Sequence, residues 1–184
     1  NHRLLEIVNQ AGIGADCVSG GEVRAALNAG IPAGKVVFAG VGKTDREIAF
    51  ALDAGIFCFN VESIPELEAI ENLAAQRGIK AQVAIRVNPN VGAHTHSNIT
   101  TGLAENKFGI GYEQLDDVIN VIEGLEHISL IGLHFHIGSQ IFESSPFMTA
   151  ADIMFDFIAE MQNKYGITTQ MLNLGGGLGV RYVE

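Results

Sequence analysis

Short apolar runs alternate with longer stretches of mixed polarity from one end of the chain to the other. The runs fall at 15–18, 36–39, 57–61, 82–87, 128–137 and 171–174. They are rich in β-branched residues and have the length of buried strands. The stretches between them space their apolar residues as helices do: Val23 to Ala29, Ile48 to Ala54, Leu67 to Gln76, Leu115 to Gly124 and Phe147 to Tyr165. In the last of these, Ile153, Phe157, Ile158 and Met161 lie along one side.

Helix starts and stops are also written in the pattern. Ser19-Gly20-Gly21-Glu22, Thr44-Asp45-Arg46-Glu47 and Ser63-Ile64-Pro65-Glu66 each place an acid three residues after a hydroxyl, the spacing of a capping box. Ser145-Pro146 predicts a further start with proline at the first helical position, where its missing N–H has no intrahelical partner to lose. Gly30, Gly55, Gly78, Gly124 and Gly166 stand where the helices should end.

Strand and helix in strict alternation, with short connections, imply a parallel α/β sheet that is either doubly wound and open or closed into a barrel. A (β/α)8 barrel needs eight strands, so on that reading one strand is missing at each end. Asn1 enters a helical pattern without a Met, and Tyr182-Val183-Glu184 stops without a cap, so a piece of a longer chain is expected. No repeat, low-complexity tract or Pro/Ser-rich linker divides residues 1–184, which read as a single domain or part of one. The long excursions, 89–112 and 137–146, leave strand ends, where sites usually sit.

Composition narrows the function classes. The 184 residues are 47% hydrophobic and 17% charged, enough for a sizeable core. Eleven basic against 21 acidic residues give a net charge of −10, which argues against a nucleic-acid or anionic-membrane partner. Cys17 and Cys58 both lie in apolar runs and are expected to be buried, reduced thiols of a cytoplasmic protein. No apolar stretch reaches membrane-spanning length, and the first residues lack a signal-peptide layout.

Two nucleotide motifs fail on inspection. Gly40-Val41-Gly42-Lys43-Thr44 resembles the end of a P-loop, but position 37 is Val where the first glycine is required, so Thr44 is better read as a helix cap. Gly175-Gly176-Gly177-Leu178-Gly179-Val180 does not complete a dinucleotide fingerprint, because position 180 is Val. The triple glycine after Met171-Leu172-Asn173-Leu174 remains. Backbone amides without Cβ obstruction can cradle a phosphate, or the glycines can simply serve a tight turn.

His134 and His136 share one face of a strand and lead into Gly138-Ser139. A metal pair, a buried structural histidine, or a ring-stacking or acid/base group are all open to His136. A metal centre would need ligands from later strand ends, and no histidine follows residue 136. His94-Thr95-His96 sits in a polar stretch and reads as solvent-facing. Arg86 ends an apolar strand, where a cation needs an anionic partner. Asp16, before Ser19, has the same ambiguity, and Glu22 can be simply half of a capping box.

Taken together, Gly14-Ala15-Asp16-Cys17-Val18-Ser19-Gly20-Gly21-Glu22, Phe59-Asn60-Val61-Glu62-Ser63, Arg86-Val87-Asn88-Pro89, Lys107-Phe108-Gly109-Ile110, His134 to Gln140 and Asn173 to Gly177 resemble, in order, the motifs of the fold-type III pyridoxal-phosphate decarboxylases. The resemblance covers essentially the whole chain. It implies an incomplete (β/α)8 TIM-like barrel of alanine-racemase/ornithine-decarboxylase type, about strands two to seven, and pyridoxal 5'-phosphate as cofactor. By that resemblance His136 stacks on the cofactor ring, Ser139 and the amides of Gly175, Gly176 and Gly177 hold its phosphate, and Arg86 sits near its phenolic oxygen. Asp16 lines the same pocket, with Glu22 and Asn60 as secondary pocket residues and no metal.

The motifs come nearest to members acting on meso-2,6-diaminopimelate, so the implied reaction is its decarboxylation to L-lysine and CO2. Members acting on ornithine, arginine or carboxynorspermidine share the barrel motifs, and a non-catalytic relative that binds a partner is a further alternative. Family members are homodimers in the cytoplasm. The family's cofactor lysine lies in a strand upstream of the region matching Asn1, and none of Lys35, Lys43, Lys80, Lys107 or Lys164 has its context. The acid that pairs with the pyridine nitrogen and the C-terminal β-domain groups are matched by no residue here. The segment by itself is therefore expected to be inactive.

Overall fold

The computed structural model describes residues 1–89 and 108–182. They group into two compact units, Asn1–Ala84 with Asp117–Leu130, and Ile85–Asp116 with Ile131–Glu184. His94, His96 and Lys107 lie outside the described residues.

The first unit holds α1 (His2–Gln10), β1 (Ala15–Cys17), α2 (Gly20–Asn28), β2 (Val36–Phe38), α3 (Asp45–Ala54), β3 (Cys58–Val61) and α4 (Ile64–Ala75). It also takes the opening residues of β4 (Ala81–Asn88), most of α5 (Leu115–Glu123) and the start of β6 (Ile128–His134). The strand order is β1-β2-β3-β4-β6. β1 and β2 pair in parallel with Ala15 opposite Val36, and β2 and β3 with Phe38 opposite Phe59. The rings of that last pair lie 6.1 Å apart. All four residues of β3 are buried, as expected of a strand covered on both faces. Val23, Ile48, Leu67 and Ile70 from the helices are fully buried with them, each side chain stabilising the fold by roughly 1.5–3 kcal/mol.

The helix starts follow local chemistry. Thr44 forms the complete capping box, accepting the Glu47 N–H while the Glu47 carboxylate accepts the Thr44 N–H at 3.1 Å. Ser19 and Ser63 accept the N–H of Glu22 and Glu66 at 3.2 and 3.3 Å, but those two carboxylates turn to other donors. At the opposite strand ends, Glu71 accepts from His127 through both backbone and ring, and the His127 carbonyl accepts the Ala81 N–H.

The second unit holds the rest of β4, β5 (Ile110–Gly111), the rest of β6, α6 (Ser145–Tyr165) and β7 (Met171–Asn173). Its order is β4-β6-β7, with β5 parallel to β4. β6 and β7 pair in parallel with His134 opposite Asn173. They approach so closely that a Cβ on Gly132 would sit 2.1 Å from the Met171 carbonyl oxygen. The foot of α6 is fixed by Asp116, which accepts from Lys164 and Tyr165. The Tyr112 ring stacks on Phe157 at 4.5 Å, and its hydroxyl donates to Glu160.

Some details differ from the sequence expectation. Pro146 is the second residue of its helix, after Ser145, and Ser144 caps it without a side-chain bond. β5 lies inside what the pattern leaves as an excursion over 89–112, because two residues carry no periodicity. β6 ends at His134, so Phe135 to Ile137 already belong to the loop. Among the described residues no helix is long and apolar enough to cross a membrane.

Candidate functional site

In the second unit, the chain leaving β6 and the chain leaving β7 stay attached beyond the strands. The Phe135 N–H donates to the Asn173 carbonyl at 3.0 Å, the Ile141 N–H to the Gly177 carbonyl at 2.9 Å, and the Gly179 N–H to the Ile141 carbonyl at 2.8 Å. Gly138, Gly175 and Gly177 have φ of 137, 71 and 99°, a region open to glycine and costly for other residues. Close approach adds a second constraint. A Cβ on Gly175 would lie 2.4 Å from the Phe135 oxygen, and one on Gly177 only 1.8 Å from the Gly138 oxygen. Gly176 is different: a Cβ there would meet nothing within 4 Å.

His136 is half-buried and lies against this turn. Its Nδ1 accepts the Gly176 N–H at 3.3 Å, and the Gly175 N–H donates to the Asn173 Oδ1 at 2.8 Å. An amide can only donate, so Nδ1 is the bare nitrogen and the imidazole proton belongs on Nε2. At 3.3 Å the Gly176 bond is at the long end for N–H to acceptor, and an anionic oxygen would compete for it well. Ser139 is exposed one residue after Gly138. Four of the expected groups, His136 and the three glycines, are therefore brought together, with Ser139 beside them.

Arg86, near the end of β4, is half-buried, with its guanidinium 5.6 Å from the centre of the Phe108 ring. A Cβ on Gly109 would press on the Arg86 carbonyl oxygen at 3.0 Å, so glycine at 109 lets β5 approach the arginine.

The other expected residues lie in the first unit. Asp16 is exposed on β1. Glu22 is exposed, and its Oε2 accepts the Val18 N–H at 2.7 Å, so it binds the strand end rather than closing a box with Ser19. Asn60, on β3, is 0% exposed, and neither carboxamide atom has a hydrogen-bond partner among the described residues. Cys17 and Cys58 are free and buried. Burial foremost pushes their thiols up to about 11 and about 12, so neither is a ready nucleophile.

Lys43 is the residue the sequence pattern hides. Its side chain is 1% exposed, and the ammonium donates to the Gly40 carbonyl at 2.8 Å, the Asn60 carbonyl at 2.7 Å and the Glu66 Oε1 at 2.6 Å. Burial pushes the Glu66 carboxyl above its ordinary range, while Lys43 and the Glu62 N–H pull it back. Neighbouring glycines and a helix cap made Lys43 look like a loop residue. The one signal in the sequence was Glu66, an acid at the start of the next helix.

In the second unit, a glycine cradle, a histidine and a serine at the ends of adjacent parallel strands make a place that can accept an oxyanion. The residues present thus suit a phosphorylated cofactor. The chain belongs to the pyridoxal-dependent decarboxylases, whose pyridoxal binding domain matches residues 1–184. It is 55% identical to the diaminopimelate decarboxylase of Bacteroides thetaiotaomicron across 99% of this chain and 47% of that protein. The crystal structure of diaminopimelate decarboxylase from M. jannaschii in co-complex with L-lysine matches with a TM-score of 0.92 at 41% identity, over 100% of this chain and 43% of that one. The arginine decarboxylase of Paramecium bursaria Chlorella virus matches at 23% identity and a TM-score of 0.78, over 97% of this chain and 45% of that one, a likeness of fold alone. The chain thus spans less than half the length of these relatives. The expected fold class, a (β/α)8-type barrel represented in part, is borne out.

Proposed function

We propose that this chain is the cofactor-holding part of a pyridoxal-phosphate-dependent decarboxylase that converts meso-2,6-diaminopimelate to L-lysine and CO2. Residues 1–184 would act as a single partial barrel domain of about strands two to seven. The observation that carries the reading is the cradle itself: Gly175 and Gly177 admit no Cβ, and His136 is hydrogen-bonded to the turn they form.

Ser139 and the amides of Gly175, Gly176 and Gly177 would hold the phosphate. The Gly175 and Gly176 amides now donate to Asn173 and His136, and the phosphate oxygens would take over or share those donors. His136 would lie against the ring, its Nδ1 tethered to Gly176 so that the imidazole cannot turn freely. Arg86 would meet the phenolic oxygen, and the family resemblance implies Asp16, Glu22 and Asn60 as further pocket residues. When bound, the cofactor supplies an electron-accepting ring that takes up the electron pair left as carboxylate departs. The chain's own groups would bind and orient it. The cofactor lysine and the acid at the pyridine nitrogen are assigned to parts of the relatives that this chain does not span, so the segment alone should not turn over. A cytoplasmic homodimer, with a small amino acid as substrate, completes the proposal.

The substrate assignment is supported by 55% identity to a diaminopimelate decarboxylase. It is tested by assaying the full-length protein on meso-diaminopimelate, ornithine, arginine and carboxynorspermidine. CO2 release confined to meso-diaminopimelate is expected, and preference for another member of the panel would overturn it.

A further inference from the structure

Beside the backbone bonds that join the loops after β6 and β7 runs a tie made by a side chain: the Val180 N–H donates to the Gln140 Oε1 at 2.9 Å. Gln140 is also where the first of these loops bends. Its φ of 58° makes it the one non-glycine residue with positive φ among the described residues. That conformation is unfavourable for a residue with a Cβ and persists only where surrounding contacts impose it. Gln140 is exposed, so burial does not impose it. The contacts that do are the Val180 bond and, at the next residue, the parallel bridge of Ile141 to Leu178. The bend separates two parts of the loop with different partners. Before it, Ser139 adjoins the glycine turn: a Cβ on Gly177 would lie 3.4 Å from the Ser139 Cα. After it, Ile141 is bonded to Gly177 and Gly179, and the Phe142 ring lies over Gly179, whose added Cβ would meet it at 2.8 Å.

We propose that Gln140 is a positioning residue for the phosphate end of the seat: by holding the Val180 amide it keeps the bend that sets Ser139 beside the glycine turn. It acts through Ser139 rather than as a ligand of the phosphate. All the groups involved lie in the second unit, and the role rests on the pyridoxal-phosphate reading above. The test is a set of dissociation constants for pyridoxal phosphate and for pyridoxal, measured by cofactor absorbance in the full-length protein, with Tm alongside. Gln140→Met keeps the length of the side chain and removes the acceptor. It should bind pyridoxal phosphate roughly fivefold more weakly, the scale of one hydrogen bond, and bind pyridoxal as the wild type does. Its Tm should stay close to wild type, because the residue is exposed. Gln140→Gly, which also relieves the φ, should show the same selective loss. Ser139→Ala should weaken pyridoxal phosphate binding by itself, and Ser139→Ala/Gln140→Met should be no weaker than Ser139→Ala, since both changes remove the same contact. Wild-type affinity in either Gln140 variant, an equal loss for pyridoxal, or a double variant whose losses multiply would overturn this role alone. A wild type that binds pyridoxal phosphate no more tightly than pyridoxal would overturn the phosphate seat, and this role with it.

Discussion

The strand ends of the two units are held in opposite ways. In the first unit they are tied by charged side chains: Glu22 to the Val18 amide, Glu47 to the Gly20 amide at 2.8 Å, Glu66 to the Glu62 amide, and Lys43 across Gly40, Asn60 and Glu66. In the second they are held by backbone meeting backbone, the loops after β6 and β7 being bonded directly and spaced by glycines that admit no Cβ. Side-chain ties fill the space between strand ends. Backbone contact leaves a turn whose amides are held only by Asn173 and His136, bonds for which an anion can compete. The difference separates a scaffold from the proposed seat.

The comparison breaks most readily at Lys43. Lys43→Met strands the Glu66 carboxylate, only 11% exposed, without its cation, and a loss of about 3–5 kcal/mol is expected in denaturant unfolding. A loss below about 1 kcal/mol would mean that the charged tie is ornamental. Next comes Gly177→Ala. With φ of 99° and a carbonyl oxygen 1.8 Å from the added methyl, the loop must move, and about 2–3 kcal/mol of strain is expected. Gly176→Ala, which meets nothing within 4 Å, should change stability by less than about 0.5 kcal/mol. Equal effects at 176 and 177 would remove the close approach from the explanation.

Smaller effects sharpen the first unit. Thr44→Ala removes the hydroxyl half of the capping box and should cost about 1 kcal/mol. Glu47 gives a pH signature. Its carboxyl is held below the ordinary value of 4.5, first by the Thr44 hydroxyl and then by the Gly20 and Thr44 amides. Because its folded pKa is depressed, its stabilisation is complete above 4.5 and is lost as pH falls from 4.5 through the lower folded value. Glu47→Gln should flatten that part of the stability–pH curve, measured by urea midpoints between pH 5 and the acid transition. An unchanged acid limb would contradict it.

Much of this was legible in the residues, for physical reasons that can be named. Strand and helix periods differ, so the runs at 36–39 and 57–61 mark β2 and β3 to within a residue. Hydroxyl–acid spacing marked Ser19, Thr44 and Ser63 as caps, because a cap is a local bond. The pairing of His136 with the triple glycine was legible only through resemblance to a family, since 40 residues separate His136 from Gly176. Lys43 was not legible. Whether a lysine is solvated or buried depends on what lies opposite, and Asn60 and Glu66 are 17 and 23 residues away. The turn of Glu22 to Val18 was hidden because capping-box spacing allows the carboxylate either amide.

The central claim is that the glycine turn beside His136 is a seat for pyridoxal phosphate, shaped by backbone approach. The most direct measurement is the dissociation constant for pyridoxal phosphate of the full-length protein and of its Gly176→Ala and Gly177→Ala variants. Wild type and Gly176→Ala should bind alike, and Gly177→Ala should bind roughly 100-fold more weakly, about 3 kcal/mol. Undiminished binding by Gly177→Ala, or none by the wild type, would contradict it.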